Sequence, residues 1–186
     1  MNGPPGGDGA RRTDQGRDRD REFVDFVAAS GTRLLRVAYL TCGSRDEAED
    51  LLQTALERAY RNWDRLRDDR DPEPYVRRII VNLAISRARR RAILRFIPAR
   101  AVPDREVRDA DVTLRQVLLD ALRALPPRQR AVLVLRYWED LSEAQTAEAL
   151  GCTTGTVKSQ ASKALAKLRA AMGDRLVEEV IGSAHA

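Results

Sequence analysis

Histidine is almost missing from this chain. The single one, His185, lies in the C-terminal tail, so acid/base or nucleophilic machinery built on imidazole has no member in the folded part. Only two cysteines occur, Cys42 and Cys152, far apart and without metal-ligand partners at usable spacing. That excludes a disulfide framework or a zinc site and leaves two small apolar core residues. No glycine-rich phosphate loop is present, and nothing calls for a cofactor, a metal or a catalytic group. No apolar run approaches the length of a membrane span, and MNGPPGGDGARRTDQGRDRD at the N-terminus lacks the hydrophobic stretch of a secretion signal. The expectation is a cytoplasmic protein with no membrane insertion.

Acid is also missing, but only locally. Over the whole 186 residues, 33 Lys and Arg stand against 28 Asp and Glu, a net charge of +5, and 43% hydrophobic content suffices for ordinary cores. Between Pro74 and Pro103, however, no acidic residue occurs, while Arg77, Arg78, Arg87, Arg89, Arg90, Arg91, Arg95 and Arg100 do. Such a stripe is the electrostatic footprint of a polyanion-binding face. A second acid-free stretch runs from Val157 to Ala171.

That second stretch belongs to the most informative segment, LSEAQTAEALGCTTGTVKSQASKALAKLR, from Leu141 to Arg169. Ser142 and Gln145 have the spacing of a capping box, and Gly151 sits where a helix closes with a left-handed residue. Thr153 or Thr154 can cap a following helix whose inward stripe is Val157, Ala161, Ala164 and Leu168. The pattern is a helix-turn-helix. Its second helix presents Thr154, Thr156, Lys158, Ser159, Gln160, Ser162 and Lys163 to the major groove, short polar groups for base edges and ammoniums for phosphates.

The remainder reads as helical throughout. Residues 1–20 have almost nothing apolar and are expected to be a disordered arm. A helix from Arg21 is interrupted at Ser30 and Gly31 and resumes through Tyr39. Ser44 and Glu47 form another capping box, opening a long amphipathic helix with Ala48, Leu51, Leu52, Ala55, Leu56, Ala59, Trp63 and Leu66 inward. A charged loop from Arg67 to Glu73 precedes a helix from Tyr75 to about Arg95. The two-proline segment 97–111 is a flexible linker, and two helices around Leu118 and Leu133 lead into the helix-turn-helix. The fold class is therefore all-α: two small helical domains, 21–96 and 112–172, joined by a linker, with a tail over 173–186.

With these elements in order, the chain from Phe23 to Met172 resembles bacterial sigma factors of the extracytoplasmic-function group. DEAEDLLQTALERAYRNWDRL is similar to the family's region 2 helix and PYVRRIIVNLAISRARRR to its minus-10-reading helix. The stretch from ALPPRQR to KALAKLR resembles region 4, and GTVKSQ is similar to the actinobacterial SigE-like branch. The resemblance implies a non-enzymatic specificity subunit whose partners are core RNA polymerase and promoter DNA, duplex at minus-35 and single-stranded at minus-10, with an anti-sigma protein as an optional further partner. It implies a polymerase dock at Asp46, Asp50, Leu51, Gln53, Glu57 and Arg58. It also implies minus-10 contacts from Arg77, Arg78, Asn82, Arg87, Arg89, Arg90 and Arg91, with a base pocket at the Arg67–Pro74 loop. Gln160 stands where many relatives have arginine, and glutamine favours adenine where arginine favours guanine. The competing reading is a helix-turn-helix regulator whose first domain senses a ligand or dimerises, and which would bind palindromic duplex without polymerase.

Overall fold

A computed structural model of the chain describes residues 8–67, 71–94 and 113–183, and every regular element among them is helical. The first, α1, runs unbroken from Asp8 to Cys42. The expected interruption at Ser30 and Gly31 is absent: a mid-helix glycine costs only about 1 kcal/mol, and Leu34, Val37 and Ala38, all buried, hold the following turns in place. The arm expected over residues 1–20 is also helical from Asp8 onward. Apolar content missed this because the segment is held by charge. The Arg19 guanidinium lies 4.6 Å from the Tyr60 ring centroid, the Tyr60 hydroxyl donates to Asp20 at 2.5 Å, and Glu22 pairs with Arg67 at 3.5 Å.

Helix α2 (Arg45–Arg61) opens on Ser44, whose hydroxyl accepts from the Glu47 amide. The reciprocal half of the expected capping box is not made, because the Glu47 carboxylate pairs instead with Arg91 at 2.6 Å. The inward stripe alternates Leu51 with the small residues Ala48, Ala55 and Ala59, all fully buried, which lets neighbouring backbones approach closely. The long helix ends earlier than its periodicity suggests: the chain re-forms at Asn62 as the single turn α3 (Trp63–Leu66). Trp63, 2% exposed, packs edge-on against Phe23 with ring centroids 5.0 Å apart and beside Phe26 at 5.3 Å, a geometry favoured by the ring quadrupoles. Helix α4 (Glu73–Leu94) lays Val76, Ile80, Val81 and Ala84 against α1 and α2.

The second half begins with α5 (Thr113–Ala124) and α6 (Pro127–Leu133), where Pro127 occupies the first turn as its missing amide allows. Residues Val134–Trp138 form a π turn, and Asp140 then adopts a left-handed conformation, φ 48°. Helix α7 (Glu143–Leu150) has the complete Ser142–Gln145 capping box and ends on Gly151 at φ 60°, ψ 46°. Helix α8 (Thr154–Met172) is capped by the Thr153 hydroxyl accepting from the Thr156 amide. The segment treated as a tail contains another helix, α9 (Asp174–Ser183), which packs on α8 and buries Val177.

One apolar cluster runs through both halves, from Leu34, Leu51 and Ile80 to Leu122, Leu133, Leu135 and Leu168. A smaller one, Val132, Ala147 and Val157, sits beneath the α7–α8 turn. Helix α4 packs against α6 and α7, and α1 against α5, α6 and the π turn, so the two halves are closed onto each other.

Candidate nucleic-acid interface

The α7–α8 pair places its polar residues as a groove-reading helix requires. Val157, Ala164 and Leu168 are buried beneath it, while Thr154, Lys158, Ser159, Ser162 and Lys163 are exposed, with Thr156 and Gln160 half-buried. The caps fix the approach of the second helix, and the Thr153 and Thr156 hydroxyls lie 3.0 Å apart at its first turn. Lys158 is held near Glu143 on α7 at 3.4 Å, an exposed pair weak enough to yield to a phosphate. Thr146, fully buried on α7, has a hydroxyl without a hydrogen-bond partner, a consequence of its polar group where a larger apolar one would pack.

The arginine stripe on α4 is not uniform. Arg78, Arg89, Arg90 and Arg91 are exposed and Arg87 is half-buried, its guanidinium 3.5 Å from the Thr54 hydroxyl. Arg91 is tied to Glu47. Arg77, grouped with the outward arginines by the sequence, is instead buried, its side chain 10% exposed. It bonds Glu73 Oε1 at 2.6 Å on its own helix and pairs with Glu139 at 2.8 Å from the π turn. Glu73 is bonded on its other oxygen by Arg33 of α1. The result is an alternating chain, Arg33–Glu73–Arg77–Glu139, crossing between the halves. Asn82, exposed, also reaches across, donating to the Ala149 carbonyl at 2.9 Å.

The two carboxylates of the chain differ. Burial would raise the Glu73 carboxyl, but the hydrogen bonds from Arg33 and Arg77 outweigh it and hold the group below its ordinary 4.5. At Glu139 burial wins over its ion-pair partner, Arg77, and pushes the carboxyl above the ordinary value. Cys42, the half-buried thiol beside this junction, is likewise pushed up by burial to about 11, which makes it an inert packing group. Neither cysteine is in a disulfide, and no cluster of three or more potential metal ligands occurs among the described residues.

Two further arginines secure the junction. Arg130 donates to the Thr41 and Cys42 carbonyls at 3.1 Å, and Arg123 to the Gly43 carbonyl at 2.7 Å. Gly43, at φ +83°, must be glycine on two counts: the backbone is left-handed, and a Cβ there would meet Arg123 Cγ at 2.7 Å. Sequence reasoning missed Glu139, Arg123 and Arg130, because nothing local distinguishes them from surface charges. The base pocket expected at Arg67–Pro74 includes residues 68–70, which lie outside the described residues.

On the opposite side of α2, Asp46, Asp50, Gln53, Glu57 and Arg58 are exposed. Leu51, placed with them by the resemblance but on the inward stripe by its spacing, is 0% exposed and points into the core, one residue out of register with that face. The apolar component is supplied by half-buried Leu52 and Leu56, which with Phe23, Leu35 and Tyr60 line an open groove of about 580 Å³ rimmed by Glu49, Gln53 and Glu57. The inward stripe had absorbed both leucines. No helix among the described residues is long and apolar enough to cross a membrane.

Residues 26–93 match the model of sigma-70 region 2, and residues 115–168 that of sigma-70 region 4. The RNA polymerase sigma-E factor of Streptomyces avermitilis is 41% identical over 156 residues, 83% of this chain and 87% of that one. The ECF RNA polymerase sigma factor SigM of Mycobacterium tuberculosis is 35% identical over 141 residues, 76% and 72% of the two chains. The sigma factor RpoE of Bartonella quintana, solved with the anti-sigma factor NepR, shares the fold at a TM-score of 0.63 and 23% identity, over 85% of this chain and 98% of that one.

The carboxylate chain makes a pH-resolved prediction. Glu73→Gln removes one partner of a buried ionic pair and is expected to cost about 3 kcal/mol or more near neutral pH by denaturant unfolding. Because the folded-state carboxyl lies below 4.5, its contribution is present above that value and lost as pH falls through the depressed one. The gap between wild type and variant therefore narrows toward about pH 3. An equal gap at both pH values contradicts the ionic role.

Proposed function

Since this chain belongs to the sigma-70 family, as an extracytoplasmic-function factor of the sigma-E kind, we propose that its two helical halves divide the labour of promoter-directed initiation as follows. Residues 21–96 bind core RNA polymerase and open the minus-10 element, residues 112–172 read duplex minus-35 DNA, and 97–111 link them. Both partners, polymerase and promoter DNA, are those of a sigma factor, and an anti-sigma protein is a further partner of such factors. Matches to both sigma regions leave the ligand-sensing regulator without a domain of its own. The chain performs no covalent chemistry itself and works where polymerase does, in the cytoplasm.

The observation that carries this reading is the pairing of two unlike surfaces on one scaffold: acid-free faces on α4 and α8, and an acid-rimmed apolar groove on α2. Thr154, Thr156, Ser159, Gln160 and Ser162 sit where a recognition helix meets base edges, with Lys158 and Lys163 on phosphates. Arg78, Asn82, Arg87 and Arg89 to Arg91 track the opened strand, where arginine charge offsets the cost of unstacking. Arg77 joins them once Glu139 has left it. Asp46, Asp50, Gln53, Glu57 and Arg58 dock the polymerase around Leu52 and Leu56, which replace Leu51 as the apolar anchors. A rim of charge around an apolar centre is the anatomy of a specific protein interface.

Reversing charge at Asp50 and Glu57 to lysine is expected to weaken core-polymerase binding about tenfold, near 1.4 kcal/mol, without loss of helix content by circular dichroism. Equal affinity would remove both residues from the interface. Replacing Lys158 and Lys163 by alanine is expected to lower minus-35 binding for all sequences alike, and to reduce the slope of log affinity against log salt by about two. An unchanged slope would reject their phosphate contacts.

A further inference from the structure

A residue assigned to DNA is already occupied. Arg77 lies on the strand-tracking helix α4, yet its guanidinium is buried against a carboxylate from the other half of the molecule, Glu139, at 2.8 Å. A carboxylate and a phosphate make the same demand of a guanidinium: two oxygens, negative charge, planar bidentate geometry. The neighbouring strand contact, Asn82, is likewise engaged by the Ala149 carbonyl at the end of α7. The recognition helix α8 begins five residues after Ala149, so the closed arrangement brings both DNA-reading surfaces to the same place.

Promoter geometry forbids that. Elements at minus-35 and minus-10 are about 25 base pairs apart, or about 85 Å along the duplex at 3.4 Å per pair. A chain whose α7 touches α4 cannot engage both. The halves must separate before initiation, and the bonds between them set how easily.

We propose that Glu139 is a phosphate-mimicking latch on Arg77, which holds the free chain in a closed form and must be displaced before α4 can bind the opened strand. The proposal rests on the assignment of α4 to promoter DNA. The π turn is what makes the latch: its extra residue per turn, followed by left-handed Asp140, swings Glu139 off the α6 helix and back onto α4. The Arg136 guanidinium donates to the Leu141 carbonyl and the Leu141 amide to the Leu135 carbonyl at 3.0 Å, pinning the reversal. Arg123 on the Gly43 carbonyl and Arg130 on the Thr41 and Cys42 carbonyls close the other edge of the junction. Glu139 is suited to release because burial opposes its charge and a single guanidinium compensates it, whereas Glu73, with two, stays put when the halves part.

The test compares the full-length chain with Glu139→Ala and Arg123→Ala. These variants break the junction while changing net charge in opposite directions, so a shared effect cannot be simple attraction to DNA. Small-angle X-ray scattering reads closure, and a fluorescently labelled mixed-sequence single-stranded DNA oligonucleotide reads access to α4. Both variants are expected to show a larger radius of gyration and to bind the oligonucleotide at least about fivefold more tightly, because the competent form no longer needs to be selected from a closed population. An unchanged radius in both variants overturns the latch. So does opening without tighter binding, or tighter binding in Glu139→Ala alone. Circular dichroism confirms that each variant retains its helices, and Arg123, at the half-exposed edge, gives a readout independent of the buried pair. Core-polymerase binding by the wild-type chain, measured alongside, reads the promoter assignment separately, so a failed latch and a failed assignment give different results.

Discussion

The arginine at position 77 is where the two halves of this molecule meet. Its charge cannot be buried alone, so the surrounding structure supplies carboxylates on both sides: Glu73 from the same helix and Glu139 from the other half. Glu73 in turn is bonded by Arg33, which ties α1 to α4. A buried ionic chain of this sort adds little net stability against an apolar alternative. What it confers is a defined relation between parts that must later part company. The apolar cluster beneath it, continuous from Leu51 to Leu168, supplies the cohesion.

From that junction the division of surfaces follows. Helix α2 turns its alanines and Leu51 inward and its carboxylates outward, leaving Leu52 and Leu56 half-covered beside Phe23 and Leu35. Helix α4 buries Val76, Ile80 and Val81 and leaves Arg78, Arg89, Arg90 and Arg91 exposed. Helix α8 does the same with lysines and hydroxyls. On the proposed reading these are separate faces for a protein partner and for nucleic acid, and the second of them is partly covered by the molecule itself.

Much of this was legible in the residues because it is local. The Ser142–Gln145 box, the glycine closing α7 and the threonine cap of α8 all depend on contacts within a few turns, and each is present. What escaped depends on distant partners. The helix before Phe23 is held by Tyr60, Asp64 and Arg67, some forty residues on. Arg77 carries no mark separating it from Arg78, since only the position of Glu139 decides which of them is buried. That position depends on a π turn with no local sequence signal. Leu51 belongs to the docking face only by resemblance, whereas the period of the helix puts it a third of a turn away, in the core.

The central claim is that this chain gives core RNA polymerase its choice of promoter. Mapping the 5′ ends of transcripts made on fragmented genomic DNA, by core polymerase with and without the purified chain, tests it most directly. The account predicts transcripts that start at a discrete set of positions only when the chain is present, preceded at a constant spacing by two shared sequence elements. Identical transcripts with and without it, from a chain that still folds and still binds duplex DNA by itself, would contradict the account.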